Sequence, residues 1–117
     1  DFREGVLHID FDTREMRMHN RTIKLNHKEN SLLYQLVRNS GLPVNQHELL
    51  DKVWGLGDAR KIHRLRTCMN RLRQKLVDLT KNTRIILTEP GEGYLLAIRT
   101  RCVKSSQYIA NISTGSN

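Results

Sequence analysis

The chain lacks most of what catalytic, secreted or membrane proteins need. Only two cysteines, Cys68 and Cys102, occur in 117 residues, too few and too far apart for a disulfide framework. Five histidines show none of the Cys/His spacings of a zinc site, so no metal is expected. A reducing cytoplasm is the simplest compartment. Aromatic residues make up 5% of the chain, which argues against single-strand binding by base stacking, since that needs a platform of exposed rings. No apolar run approaches the roughly 18 residues of a membrane span. No signal-peptide pattern opens the chain, and its first residue is Asp rather than Met, which reads as a piece cut from a longer protein. No nucleophile–base pair or phosphate loop stands out, so neither an enzyme nor a cofactor is expected. The most informative gap is local. No acid lies between Asp58 and Asp78.

What fills that gap is a helix pattern. Residues 60–79 read RKIHRLRTCMNRLRQKLVDL. The apolar positions Ile62, Leu65, Met69, Leu72, Leu76 and Leu79 alternate spacings of three and four, a single seam along a helix. Opposite the seam lie His63, Thr67, Asn70, Arg71 and Gln74, with Arg64 and Lys75 on one flank and Arg66 and Arg73 on the other. An ordinary exposed helix mixes Glu with Lys at a spacing of four, whereas this one carries only cations and neutral hydrogen-bonding groups. Such a helix suits the major groove of a duplex, whose width admits one helix and whose edges offer donors and acceptors. The formal net charge of +8 favours a polyanionic partner. The length suits one domain with one modest core.

Upstream, residues 6–11, 14–19 and 22–25 alternate apolar with polar. Turns at Asp12–Thr13 and Asn20–Arg21 would pair Leu7 with Met18, Ile9 with Met16, Met18 with Ile23 and Met16 with Leu25, all on one face. His8, Arg17 and Lys24 would point away. Asn26 and Glu29 have the spacing of a capping box for a helix over about 27–39 that buries Leu32, Leu33, Leu36 and Val37 and stops at Gly41. Asn45 and Glu48 repeat the cap for a short helix over 46–54, and a loop at 55–59 leads into the basic helix. Two helices joined by a short turn, the second basic, describe a helix-turn-helix. RIILT (84–88) and YLLAI (94–98), joined by EPGEG, form a hairpin that would be a wing. The ordered domain therefore spans 1–98, and residues 99–117 read as a polar tail.

The blocks TIKLNHKENSLLYQLVRNSG, NQHELLDKVWG, LRTCMNRLRQKL and TEPGEGYLL, with their order and gaps, resemble the winged-helix output domain of OmpR/PhoB-type bacterial response regulators. The match covers about 6–98, and the last two blocks look most like the KdpE-type subgroup. The resemblance implies an α+β winged helix-turn-helix: an N-terminal four-stranded antiparallel sheet, three helices and a C-terminal β-hairpin wing. It implies binding to double-stranded promoter DNA, often as a homodimer on direct repeats, with a preceding receiver domain served by a sensor histidine kinase. It also implies that the loop Gly55, Leu56, Gly57, Asp58 and Ala59 touches RNA polymerase.

Residue by residue, the resemblance puts Thr67, Asn70 and Arg71 at groove-facing positions and directs Arg66 and Arg73 to phosphates; Lys75, on the flank of the same helix, is a further expected phosphate ligand. Gln46 and His47, opening the second helix, would meet a phosphate as helix N-termini can. Trp54 matches the family's Trp-Gly, with an indole directed either to the DNA backbone or to the core. Thr88 would touch a phosphate, and Lys81 and Arg84 keep the base of the wing positive. The chain departs from the family at Pro90, where many members carry a minor-groove Arg, at the added acid Glu92, and at Leu95 in GYL. Cys68 falls about 115° from the centre of the reading face, the position of a packing residue rather than a sensor thiol.

Two other classes fit less well. An RNA-binding winged helix meets an A-form groove that excludes a helix. A protein-interaction module would use the same basic helix on an acidic partner.

Overall fold

The computed structural model describes residues 6–39, 41–55 and 61–102. Three strands open the fold, β1 (Leu7–Asp10), β2 (Glu15–Met18) and β3 (Arg21–Lys24). Their alternation buries Leu7, Ile9, Met16 and Met18 on one face. β1 and β2 pair Ile9 with Met16, the expected register. The Asp10 carboxylate fixes the first turn by accepting from the Asp12 and Thr13 amides at 3.0 and 3.2 Å.

The second hairpin differs from expectation by two residues. Met16 faces Ile23 and Met18 faces Arg21, because the turn falls on His19–Asn20 rather than Asn20–Arg21. Both turn residues have positive φ, +54° and +67°, the conformation whose twist matches that of two-residue hairpins. A shift of two preserves which face each side chain occupies. The buried set therefore survives the change.

The sheet has four strands, in the order β3-β2-β1 and then β6 (Thr100–Cys102). The fourth comes from the other end of the chain. β6 runs parallel to β1, with Leu7 opposite Thr100, so the sheet is mixed rather than antiparallel throughout. The Leu7 amide donates to the Arg99 carbonyl at 2.9 Å, and β6 satisfies the edge that β1 would otherwise leave open. The last strand thus lies beyond the boundary expected at residue 98. The rest of the expected tail, 103–117, lies outside the described residues.

Helix α1 (His27–Arg38) starts on the expected capping box: the Asn26 side chain accepts from the Glu29 amide while Glu29 accepts from the Asn26 amide. Helix α2 (Gln46–Trp54) is capped by Asn45, which accepts from the His47 amide at 2.8 Å. Glu48 instead faces Lys52 across one helical turn at 3.7 Å. Helix α3 (Ile62–Thr80) ends with Lys81 in the left-handed region. The core gathers Leu32, Leu33 and Leu36 of α1, Leu49 and Leu50 of α2, and the α3 seam against the sheet.

The wing pairs β4 (Ile86–Glu89) with β5 (Gly93–Leu96) in antiparallel register, Ile86 opposite Leu96. It is tied to the α1–α2 connection by two bonds between Val44 and Tyr94, at 2.7 and 3.0 Å. Gly93 makes this approach possible. A Cβ there would lie 1.9 Å from the Val44 carbonyl oxygen, and its φ is +129°.

Candidate nucleic-acid interface

The seam of α3 is buried as its spacing requires. Leu65, Met69, Leu72, Leu76 and Leu79 are at most 1% exposed, and Ile62 is partly buried. Cys68 joins them at 7% exposure. Burial, with the Glu29 charge adding to it, pushes its thiol up from 9.0 to about 11. It is a protonated packing group at neutral pH.

With the seam held inward, the opposite side has to face solvent. His63, Arg64, Thr67, Asn70, Arg71 and Gln74 are all exposed on α3, as is Arg66. These groups form one unbroken strip of donors and acceptors on a rigid helix. Their chemistry is that of base-edge and phosphate recognition.

The flanking residues divide. Arg73 is half-buried, donates to Thr88 Oγ1 at 2.7 Å and lies 5.7 Å from the Tyr94 ring. Two expected phosphate ligands therefore meet side by side where α3 touches the wing. Lys75 does not join them. Its ammonium bonds Glu29 Oε1 at 2.6 Å and the Lys24 carbonyl at 3.1 Å. Glu29 is 1% exposed, and a buried carboxylate demands a partner. Lys75 is committed to that demand, which removes it from the expected phosphate set.

Gln46 and His47 at the start of α2 line a cleft of about 200 Å³ with Thr88 and the wing turn 89–94. The His47 amide is taken by the Asn45 cap, so its backbone is not the anion donor that was expected. The imidazole itself is exposed. At the wing tip Glu89, Pro90, Gly91 and Glu92 are exposed, so this surface presents two acids and no cation.

Trp54 is half-buried at the C-terminal end of α2. It lines a second cavity of about 350 Å³ with Asn26, Lys28, His63, Arg64, Thr67, Cys68 and Arg71. Lys28 sits 5.4 Å from the Trp54 ring and donates to the Val53 carbonyl at 3.0 Å, while Lys61 donates to the Trp54 carbonyl at 3.2 Å. Sequence reasoning missed Lys28. Its one signal was a cation in the first turn of a helix, where the macrodipole favours acids.

Gly55 closes α2, its amide donating to the Asp51 carbonyl at 2.9 Å. The rest of the expected polymerase loop, Leu56, Gly57, Asp58 and Ala59, lies outside the described residues. Among the described residues no cluster of three or more His, Cys, Asp or Glu could hold a metal, and no helix is long and apolar enough to cross a membrane.

Comparison with known proteins places this geometry among regulators. The family model described as "Transcriptional regulatory protein, C terminal" matches residues 20–96. A probable transcriptional regulator, ycf27, of Galdieria sulphuraria is 36% identical over 93 residues, covering 78% of this chain and 36% of its own length. The transcriptional regulatory protein DltR of Streptococcus agalactiae is 33% identical over 98 residues, 84% of this chain and 43% of its own. The chain thus spans about two fifths of these relatives. Among solved structures, the Klebsiella pneumoniae RstA DNA-binding domain in complex with the RstA box superposes with a TM-score of 0.68 at 26% identity, over 80% of this chain and 92% of that one. The DNA-binding domain of CpxR from E. coli gives 0.64 at 27%, over 75% and 86%.

Proposed function

The chain belongs to the family of transcriptional regulatory protein C-terminal domains, the OmpR/PhoB-type winged-helix output domains, and from that premise we propose that it binds double-stranded DNA sequence-specifically to control transcription from promoters. One observation carries the reading: α3 buries its apolar seam and turns an acid-free strip of exposed cations and hydrogen-bonding side chains outward. In this reading Thr67, Asn70, Arg71 and Gln74 read base edges in the major groove, with His63 and Arg64 at the same face. Arg66, the Arg73–Thr88 pair, Gln46, the His47 side chain and Trp54 hold phosphates along its borders. Phosphate contacts supply most of the affinity, and the few groove-facing groups supply discrimination. The exposed acids Glu89 and Glu92 disfavour entry of the wing into a minor groove.

The family is a class of transcription regulators, not of enzymes. The wider assembly is part of the same proposal: a homodimer on direct repeats, a receiver domain with its sensor histidine kinase, RNA polymerase as partner through the 55–59 loop, and a cytoplasmic location.

Selection of bound sites from random duplexes tests DNA specificity and half-site spacing together. On the selected site, Arg71→Ala should lose on the order of 1–3 kcal/mol and relax the preference at one position. Arg73→Ala should weaken all sequences about equally. Recovery of no consensus, or binding no better than to heparin, would overturn the reading.

A further inference from the structure

Helix α1 lies outside the recognition unit, yet its first turn reaches the edge of the α3 strip. Asn26 and Lys28 line the same cavity as His63, Arg64, Thr67 and Arg71. That cavity is open to solvent beside the reading face, and among the described residues none that lines it is acidic. Glu29, an acid of the same α1 first turn, is buried and held by Lys75.

Lys28 is exposed but not loose. Its ammonium is anchored to the Val53 carbonyl at 3.0 Å, over the Trp54 ring. One carbonyl engages one of its three donors and leaves the others directed elsewhere. The arrangement holds a cation beside the cavity that α1 shares with the α3 strip, already oriented by its bond to Val53 in the free protein. A preordered ammonium beside a groove-reading helix is the geometry of a phosphate ligand.

We propose that Lys28 of α1 binds a backbone phosphate of the duplex at this edge, so that the footprint includes a helix outside the helix-turn-helix. This rests on the reading that α3 occupies the major groove. Lys28 then positions the domain without reading sequence, while Trp54 and the α2 C-terminus serve as its mount.

The test measures binding of wild type, Lys28→Gln and Lys28→Arg to a selected duplex and to a scrambled one, between 50 and 200 mM salt. Loss of one phosphate contact should lower the slope of log affinity against log salt by about 0.9. The advantage of wild type over Lys28→Gln should therefore shrink about threefold across that range. The effect should be equal on both duplexes, and Lys28→Arg should restore the slope. A duplex with a single neutral methylphosphonate linkage at the contacted position should weaken wild type and leave Lys28→Gln unaffected. Thermal melting checks each variant's fold, and Lys28→Met, which keeps the stem over Trp54, replaces Lys28→Gln if the latter does not fold.

An unchanged slope, whether affinity is equal or uniformly reduced, makes Lys28 a structural cap of α2 and overturns the proposal while α3 recognition stands. Failure of wild type itself to prefer duplex over heparin overturns both readings.

Discussion

Glu29 shows how one residue settles the role of another. Its carboxylate closes the α1 capping box and sits 1% exposed, so it needs the Lys75 ammonium 2.6 Å away. Lys75→Met should strand a buried charge and cost roughly 2–4 kcal/mol, the lower part of that range being favoured because the lysine remains a third exposed. Adding Glu29→Gln, which keeps the cap geometry, should recover part of the loss. Urea unfolding of the single and double variants measures this, and strict additivity would argue against the pair. Cys68 makes a different prediction. Its folded thiol titrates at about 11 against an ordinary 9.0, so the folded state holds the proton more tightly. The stability this contributes is complete below pH 9 and is lost as pH climbs from 9 toward 11. Cys68→Ala has no such proton, so its stability gap to wild type should narrow across that window. Denaturant titrations at pH 8, 9, 10 and 11 would show it, and a constant gap would refute it.

At the scale of elements, the join between wing and helices is a backbone contact with no room for a side chain. Gly93→Ala should cost about 3 kcal/mol, since its Cβ would collide with the Val44 carbonyl, and it should also weaken DNA binding. Gly91→Ala shares a positive φ but meets nothing within 4 Å, so about 1 kcal/mol is expected there. Thermal melts of the two variants give the comparison, and equal losses would mean that strain rather than collision decides. This join was legible only in part. The Pro/Gly turn and the flanking apolar runs announce a hairpin, but nothing in the order of residues says that Tyr94 will pair with Val44. The α3 seam and the α1 capping box were readable because they depend on neighbours three or four residues away, whereas at α2 only the Asn45 half of the expected cap forms. The second hairpin's register was not, since positive φ at His19 carries no strong composition signal, unlike Asn-Gly. Lys75 looked like a free cation for a different reason: Glu29 is distant in sequence and adjacent in space.

For the whole molecule, the strand hidden in the presumed tail matters most. Thr-Arg-Cys is too short to show alternation, and its partner β1 is more than ninety positions away, so local pattern could not reveal it. A chain ending at Ile98 should melt about 5 °C or more below one ending at Cys102, because β1 loses its parallel neighbour and the Leu7–Arg99 bond. Matching melting points would show β6 to be dispensable. The same pairing also decides how the domain bears load. Residue 7 enters β1 at the end where residue 100 enters β6, and the chain leaves β6 at the far end of that ladder. Pulling on the two ends drags the neighbouring strands past each other. Every rung of the ladder then resists at once, in shear, and the sheet does not unzip one bond at a time.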